Sequence, residues 1–236
     1  MKSIIYYTDN SVADPIFSIV QKQILKANLP VLSVSLSPIR FGKNIVLHLP
    51  ANIVSMIKQI IKGLEESTST YVFFCEHDVL YPVSHFDFTP LTDTIFYYNA
   101  NVWRWNYPTN VAITYNRLIS LSGLCVNREF ALLHYRKRLK KIEEMHWDLD
   151  TRKHEPAWAR KWGYEPGTKK IRRGGFSDDD FETWSSLYPI IDIRHGKTFS
   201  PPKVTLESFK HLPTGWREAS LDTLEGWNLK ELFNLN

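Results

Sequence analysis

The amino-terminal third of this chain alternates between two hydrophobic periods, and that alternation leaves few architectures open. Ile4–Tyr7 is a short apolar run that ends in the polar turn Thr8-Asp9-Asn10. Ile16, Ile19, Val20 and Ile24 then recur at helical spacing, and Pro30–Leu36 is strand-like again. Ile53, Met56, Ile57, Ile60, Ile61 and Leu64 line one face of a helix over 52–66. A third apolar run, Tyr71-Val72-Phe73-Phe74-Cys75, completes the series. Strand, helix, strand, helix, strand with short links predicts parallel βαβ units with right-handed crossovers, hence an α/β fold.

The rest is less regular. Thr94–Asn99 and Ile113–Tyr115 read as strands, Asn127–Met145 as a helix, and Ile190–Ile193 as a final strand. Ser37–Asn44 reads as a turn-rich loop, Trp147–Phe176 is rich in Trp and Gly, and Ser200–Asn236 reads as an irregular wrap or flap. With 236 residues, 43% of them hydrophobic and 14% aromatic, the chain can bury one substantial core, which excludes a disordered protein. Cys75 and Cys125 have apolar neighbours and read as buried free thiols of a cytoplasmic protein. Met1-Lys2-Ser3 runs straight into a strand, with no signal-peptide core and no apolar run near membrane-spanning length.

The third apolar run leads directly into Glu76-His77-Asp78. A buried strand that ends in two carboxylates and an imidazole delivers them to the sheet edge where open α/β sheets bind ligands. In extended backbone Glu76 and Asp78 point the same way, and His77 points away into the fold. Two hard oxygen donors on one side suit a divalent cation and, through it, a diphosphate. Neither a Walker loop nor G-x-G-x-x-G follows the first strand; a nucleotide enzyme without such loops needs another counter-charge for phosphate, and a carboxylate-held metal is the common one. At the neighbouring strand ends stand Asp9, Ser35 and Arg40, which become candidate nucleotide contacts under the resemblance given next, with a plain helix cap the other reading of Asp9.

An acidic motif after an apolar strand, without a phosphate loop, resembles the metal-dependent glycosyltransferases of the GT-A type. The resemblance implies a single Rossmann-like GT-A domain with a mixed central sheet and an irregular carboxyl-terminal extension. It divides the chain into residues 1–200, the catalytic domain, and 201–236, the wrap or flap. Within the domain, 1–100 would bind the nucleotide-sugar, a UDP-sugar in the first place, and 101–200 the acceptor. It implies Mn²⁺ or Mg²⁺ on Asp78, with Glu76, where the motif more commonly has Asp, as a further ligand or a ribose contact. His195, just after the last strand, matches the late histidine ligand of many members, and Arg194 and Lys197 would neutralise diphosphate oxygens. Gly174-Gly175-Phe176-Ser177-Asp178-Asp179-Asp180-Phe181-Glu182 resembles the Gly-Gly-acid-acid segment of inverting members such as galactosyltransferases. There one acid, at the amino end of a helix, deprotonates the acceptor hydroxyl; Asp179 is the first choice and Asp180 the second. The same residues also read as a helix amino terminus decorated with acids.

Charge distribution bears on the acceptor. Net charge is +4, yet from His134 to Arg173 there are 13 Lys/Arg against 6 Asp/Glu. Arg136-Lys137-Arg138-Leu139-Lys140-Lys141 on the predicted helix, then Trp147, Trp158 and Trp162 among basic residues, suit a polyanion such as DNA. Small soluble GT-A-like phage enzymes that glycosylate hydroxymethylated pyrimidines are similar in size and in lacking an anchor. Three other readings stay open: a transferase for bacterial surface polysaccharide with 127–145 facing a membrane, a nucleotidyltransferase, and a non-catalytic nucleic-acid-binding module.

Overall fold

The computed structural model describes residues 1–144, 165–168, 180–198 and 203–235. Strands β1 (Lys2–Thr8), β2 (Val31–Ser35), β3 (Lys43–Val46) and β4 (Tyr71–Glu76) are parallel and stand in the order β3-β2-β1-β4. This is the amino-terminal half of a doubly wound sheet. The sheet then becomes mixed. Strand β9 (Leu124–Asn127) runs antiparallel to both β4 and β6 (Ile95–Asn99), and β10 (Asp180–Trp184) closes the edge parallel to β6. The chain is thus a mixed α/β protein with a Rossmann-like first half.

Side-chain alternation on β1 and β4 divides the interior in two. Ile5, Tyr7, Val72 and Phe74 face helix α2 (Ile53–Glu66), while Ile4, Tyr6, Phe73 and Cys75 face helix α1 (Ile16–Leu25) and a second sheet. Ile57, Ile60 and Leu64 of α2 are wholly buried, each contributing about 1.5–3 kcal/mol. Both cysteines are buried and free, as expected. Gly63 of α2 lies directly on Ile5, where an added Cβ would come within 2.6 Å of Cγ2. Gly63→Ala is therefore expected to destabilise the protein by roughly 1–3 kcal/mol, the cost of overpacking exceeding the gain in helix propensity. Urea denaturation checks it; an unchanged or higher midpoint would contradict the close packing.

The second sheet has the order β12-β8-β7-β11-β5. Its strands are β5 (Val79–Leu80), β7 (Val102–Asn106), β8 (Val111–Thr114), β11 (Ile190–Arg194) and β12 (Arg217–Ser220). The carboxyl-terminal extension supplies β12 and the short helix α4 (Leu229–Phe233), whose Phe233 packs edge-on to the buried Trp105 at 4.8 Å. Helix α3 (Arg128–Glu144) agrees with the sequence expectation but uses its cations differently. Arg138 turns inward and is 2% exposed, and Arg136 pairs with Glu65 at 2.7 Å. Ala131, Leu132, Tyr135 and Ile142 join the α2 core, so this apolar side is consumed by the fold instead of facing a membrane. No helix among the described residues is long and apolar enough to cross a membrane. Trp147, Trp158, Trp162 and the basic residues among them lie outside the described residues.

His85 is wholly buried, its Nδ1 3.0 Å from the Asn99 amide nitrogen, and burial pushes its pKa down to about 3. The folded protein keeps this ring neutral, whereas the unfolded chain protonates it below about 6.5. Its contribution is therefore complete above that pH and is lost as pH falls toward 3, at about 1.4 kcal/mol per pH unit. His85→Gln should flatten the acid limb of stability against pH by about one proton. An unchanged slope would show that His85 is not the group responsible.

Candidate active site

Strand β4 ends at Glu76, and His77-Asp78 form a tight turn that hands the chain to β5 in the second sheet. The extended geometry expected for Glu76 and Asp78 is thus replaced by a turn between sheets. The turn is pinned from the far side, where the Ile193 N–H donates to the Asp78 carbonyl at 2.9 Å. Glu76 is held at both ends: its N–H donates to the Tyr81 hydroxyl at 2.9 Å, and its Oε1 accepts from the Tyr7 hydroxyl at 2.6 Å.

Two clefts, each of about 140 Å³, meet at this turn. The first lies outside the carboxyl ends of β1, β2 and β4, lined by Thr8, Asp9, Leu36, Glu76, His77 and Asp78. Its floor is the amino end of α2, where Asn52 accepts from the Ser55 N–H at 2.9 Å and where the helix favours negative charge. The second cleft is lined by Ser120, Ser122, Arg104, Asp192 and Arg194, and again by Glu76 and Asp78. The two acids are therefore a wall common to both.

The carboxyls of that wall differ. Burial, followed by the neighbouring Asp78 charge, raises Glu76 to about 8. Burial also acts to raise Asp78, but the neighbouring His195 and His77 rings and the Arg194 guanidinium outweigh it and hold Asp78 below the usual range. His195 Nε2 lies 3.4 Å from Asp78 Oδ2 without the alignment of a hydrogen bond, and it is buried with no other partner among the described residues. The separation is close to that of two adjacent ligands around one ion with bonds of about 2.1 Å. An orphaned imidazole nitrogen facing a carboxylate fits a divalent cation. Lys197 N–H donates weakly to His195 Nδ1 at 3.3 Å, and binding through Nε2 would require the ring proton on Nδ1 and the loss of that contact. Among the described residues no group of three His, Cys, Asp or Glu side chains converges on one point.

The other sequence candidates divide between places. Asp9 lines the first cleft; its Oδ1 accepts from the Ser11 N–H and lies 3.7 Å from His77 Nδ1, so it caps no helix. Lys197 also lines the first cleft, with Nζ donating to the Ser11 carbonyl at 3.3 Å. Arg194 faces the second cleft and is paired with Asp192 at 3.2 Å. Ser35 is wholly buried and accepts from the Asn44 amide at 2.9 Å, while Arg40 is exposed, and neither lines a cleft. His77, expected to turn into the fold, lines the first cleft instead, with Nδ1 2.6 Å from the Thr8 hydroxyl.

Asp180 opens strand β10, not a helix, and pairs with Ile95. Phe73, Cys125, Tyr97 and Glu182 lie level across β4, β9, β6 and β10. Asp180 is thus on the far side of that level from Glu76 and roughly 20 Å from it by strand spacing. The fold does not bring Asp180 to the cleft junction, and Asp179 lies outside the described residues. Sequence reasoning missed Arg104, which with Arg194 clamps Asp192 (Arg104 Nε to Oδ2, 3.1 Å). The available signal was opposite charge at i and i+2, Asp192 and Arg194, inside an otherwise apolar strand.

No family model matches the chain, and no curated protein matches it. Solved structures do match. One is the apo-form glycosyltransferase GlyE of Streptococcus pneumoniae TIGR4, 9% identical with a TM-score of 0.40, over 65% of this chain and 40% of that one. The present chain thus spans 40% of the length of GlyE. Another is a glycosyltransferase involved in glycosylation of the major capsid of PBCV-1, 8% identical with a TM-score of 0.43, over 80% of this chain and 92% of that one.

Proposed function

We propose that this chain is an inverting GT-A-type glycosyltransferase that moves a sugar from a nucleotide-sugar to an acceptor hydroxyl with a divalent cation. One observation carries the reading: Glu76 and Asp78 form a wall common to two clefts of different character. The first, at the carboxyl ends of parallel strands and over a helix amino terminus, suits a nucleoside diphosphate. The second, with hydroxyls and guanidiniums, suits a polyhydroxylated acceptor. The bond to be exchanged would lie between them.

Asp78 and His195 would hold Mn²⁺ or Mg²⁺, with Glu76 beside them. When bound, the cation neutralises charge that develops on the departing diphosphate. Lys197 and the amino end of α2 would meet the same charge from the protein side, and Asp9 and Thr8, which line the first cleft, would contact ribose or base. In the reaction the acceptor oxygen bonds to the anomeric carbon, the bond to the diphosphate breaks, and its electron pair leaves with the nucleoside diphosphate. The hydroxyl proton passes to a carboxylate: Asp179 on the sequence reading, or Glu165, which lines the second cleft. Asp192 is committed to its two arginines.

A thermal-shift screen of nucleotide-sugars with and without Mn²⁺ tests the proposal. A donor at a hundred times its Kd should stabilise the protein by about 2.7 kcal/mol, only with the cation present. Turnover should release nucleoside diphosphate. Release of pyrophosphate would point to nucleotidyl transfer instead, and absence of stabilisation by every nucleotide-sugar would overturn the reading.

A further inference from the structure

Arg104, Asp192 and Arg194 bring one face of the smaller sheet to the wall of the second cleft, and strand register fixes which residues share that face. Asp192 of β11 stands opposite Arg104 of β7, Arg104 opposite Ile113 of β8, and Ile113 opposite Glu218 of β12. Alternation brings Tyr115, two residues past Ile113, and Trp216, two before Glu218, to the same side. Ring contacts agree. Arg104 donates to the Tyr115 hydroxyl at 3.0 Å, and the Tyr115 and Trp216 planes are 8° apart with centroids at 6.2 Å. Phe209 stands edge-on to both. All three rings are half-buried, so they keep accessible surface. Ile113, midway, is covered at 1% exposed, so the rings reach the cleft through Arg104, which lines the cleft and bonds Tyr115; Trp216 lies three strand intervals from Asp192, roughly 14 Å at about 4.8 Å each.

We propose that this strip extends the acceptor cleft and that its occupant is an oligosaccharide, with a sugar distal to the reacting one stacked on Trp216 and Tyr115. The inference rests on the glycosyl-transfer reading and adds the acceptor class. A sugar ring has apolar C–H faces and a rim of hydroxyls. Aromatic planes take the faces, while carboxylates accept from the hydroxyls and guanidiniums donate to them. Trp216 is itself oriented, its indole N–H donating to Glu218 at 2.9 Å. Charge separates this occupant from a nucleic-acid strand, which would also stack. Asp192 and Glu218 stand along the strip with Arg104, Arg194 and, 5.5 Å over the Phe209 ring, Lys203, so a phosphate chain would be opposed by two carboxylates whereas a neutral polyhydroxylated chain would not.

The test is binding of the full chain to an array of oligosaccharides of graded length, with single-stranded DNA oligonucleotides as the competing probe. Wild-type protein should bind oligosaccharides better than the matching monosaccharides. Trp216→Ala should lose about tenfold in oligosaccharide affinity, and Trp216→Phe should retain most of it. Unchanged binding by a folded Trp216→Ala protein, binding of DNA but no glycan, or no glycan binding at all would overturn the inference. Stabilisation by nucleotide-sugar with Mn²⁺, measured on the same proteins, reports separately on the donor site.

Discussion

Asp78→Ala is expected to abolish cation-dependent stabilisation by nucleotide-sugars and to lower turnover by about 10²–10³-fold or more, the usual cost of removing a preorganised group that meets transition-state charge. The substitution is informative because the turn should survive it. The bond that fixes the turn runs from the Ile193 N–H to the Asp78 carbonyl, which alanine retains. What is lost is the carboxylate opposite the orphaned His195 nitrogen, and with it the better ionised acid of the shared wall. Glu76, raised partly by that charge, should then titrate lower but remain tied to the Tyr7 hydroxyl. Nucleoside-diphosphate release at saturating donor and thermal shift against Mn²⁺ concentration are the two measurements. Wild-type turnover, or an undiminished Mn²⁺-dependent shift, would remove Asp78 from the chemistry.

The parallel half of the fold was legible because its signals are local. Apolar runs of strand length alternate with one strongly amphipathic helix, and β1, β2, β4, α1 and α2 lie where those patterns put them. The short polar edge strand β3 was not legible. Lys43-Asn44-Ile45-Val46 begins inside the turn-rich stretch and has only Ile45 and Val46 as strand formers; pairing with β2 and the Asn44 bonds back to Ser33 and Ser35 hold it as a strand. Asp180-Phe181-Glu182-Thr183-Trp184 carried two acids that suggested a helix start, and its apolar residues are three apart, but its pairing with β6 makes it a strand. At the site, Asp78 and His195 were readable from their positions at strand ends. Their meeting depends on β11 packing beside β5, a contact between distant segments that no local pattern encodes. The same holds for the Arg104–Asp192 pair, which joins β7 to β11.

That pair sets the second large expectation. Asp192 is 5% exposed and is held between Arg104 Nε at 3.1 Å and Arg194 at 3.2 Å, with Arg194 itself 7% exposed. Removing the carboxylate leaves two positive charges close together in a poorly hydrated place. Asp192→Ala should therefore destabilise the protein by about 3–5 kcal/mol, far more than an exposed ion pair would lose. Most of this is the penalty on two guanidiniums that lose their shared counter-charge and not the worth of the pair, and a double-mutant cycle separates the two. In an Arg104→Met background the same Asp192→Ala change should cost distinctly less, because one of the two positive charges is gone. Additive losses in urea denaturation would mean that the carboxylate stabilises β11 by some other route. Where both variants fold, donor binding in the first cleft should persist, since Asp192 and Arg104 line only the second. Acceptor use should fail, so the pair would act on the half of the reaction that the acidic turn does not control.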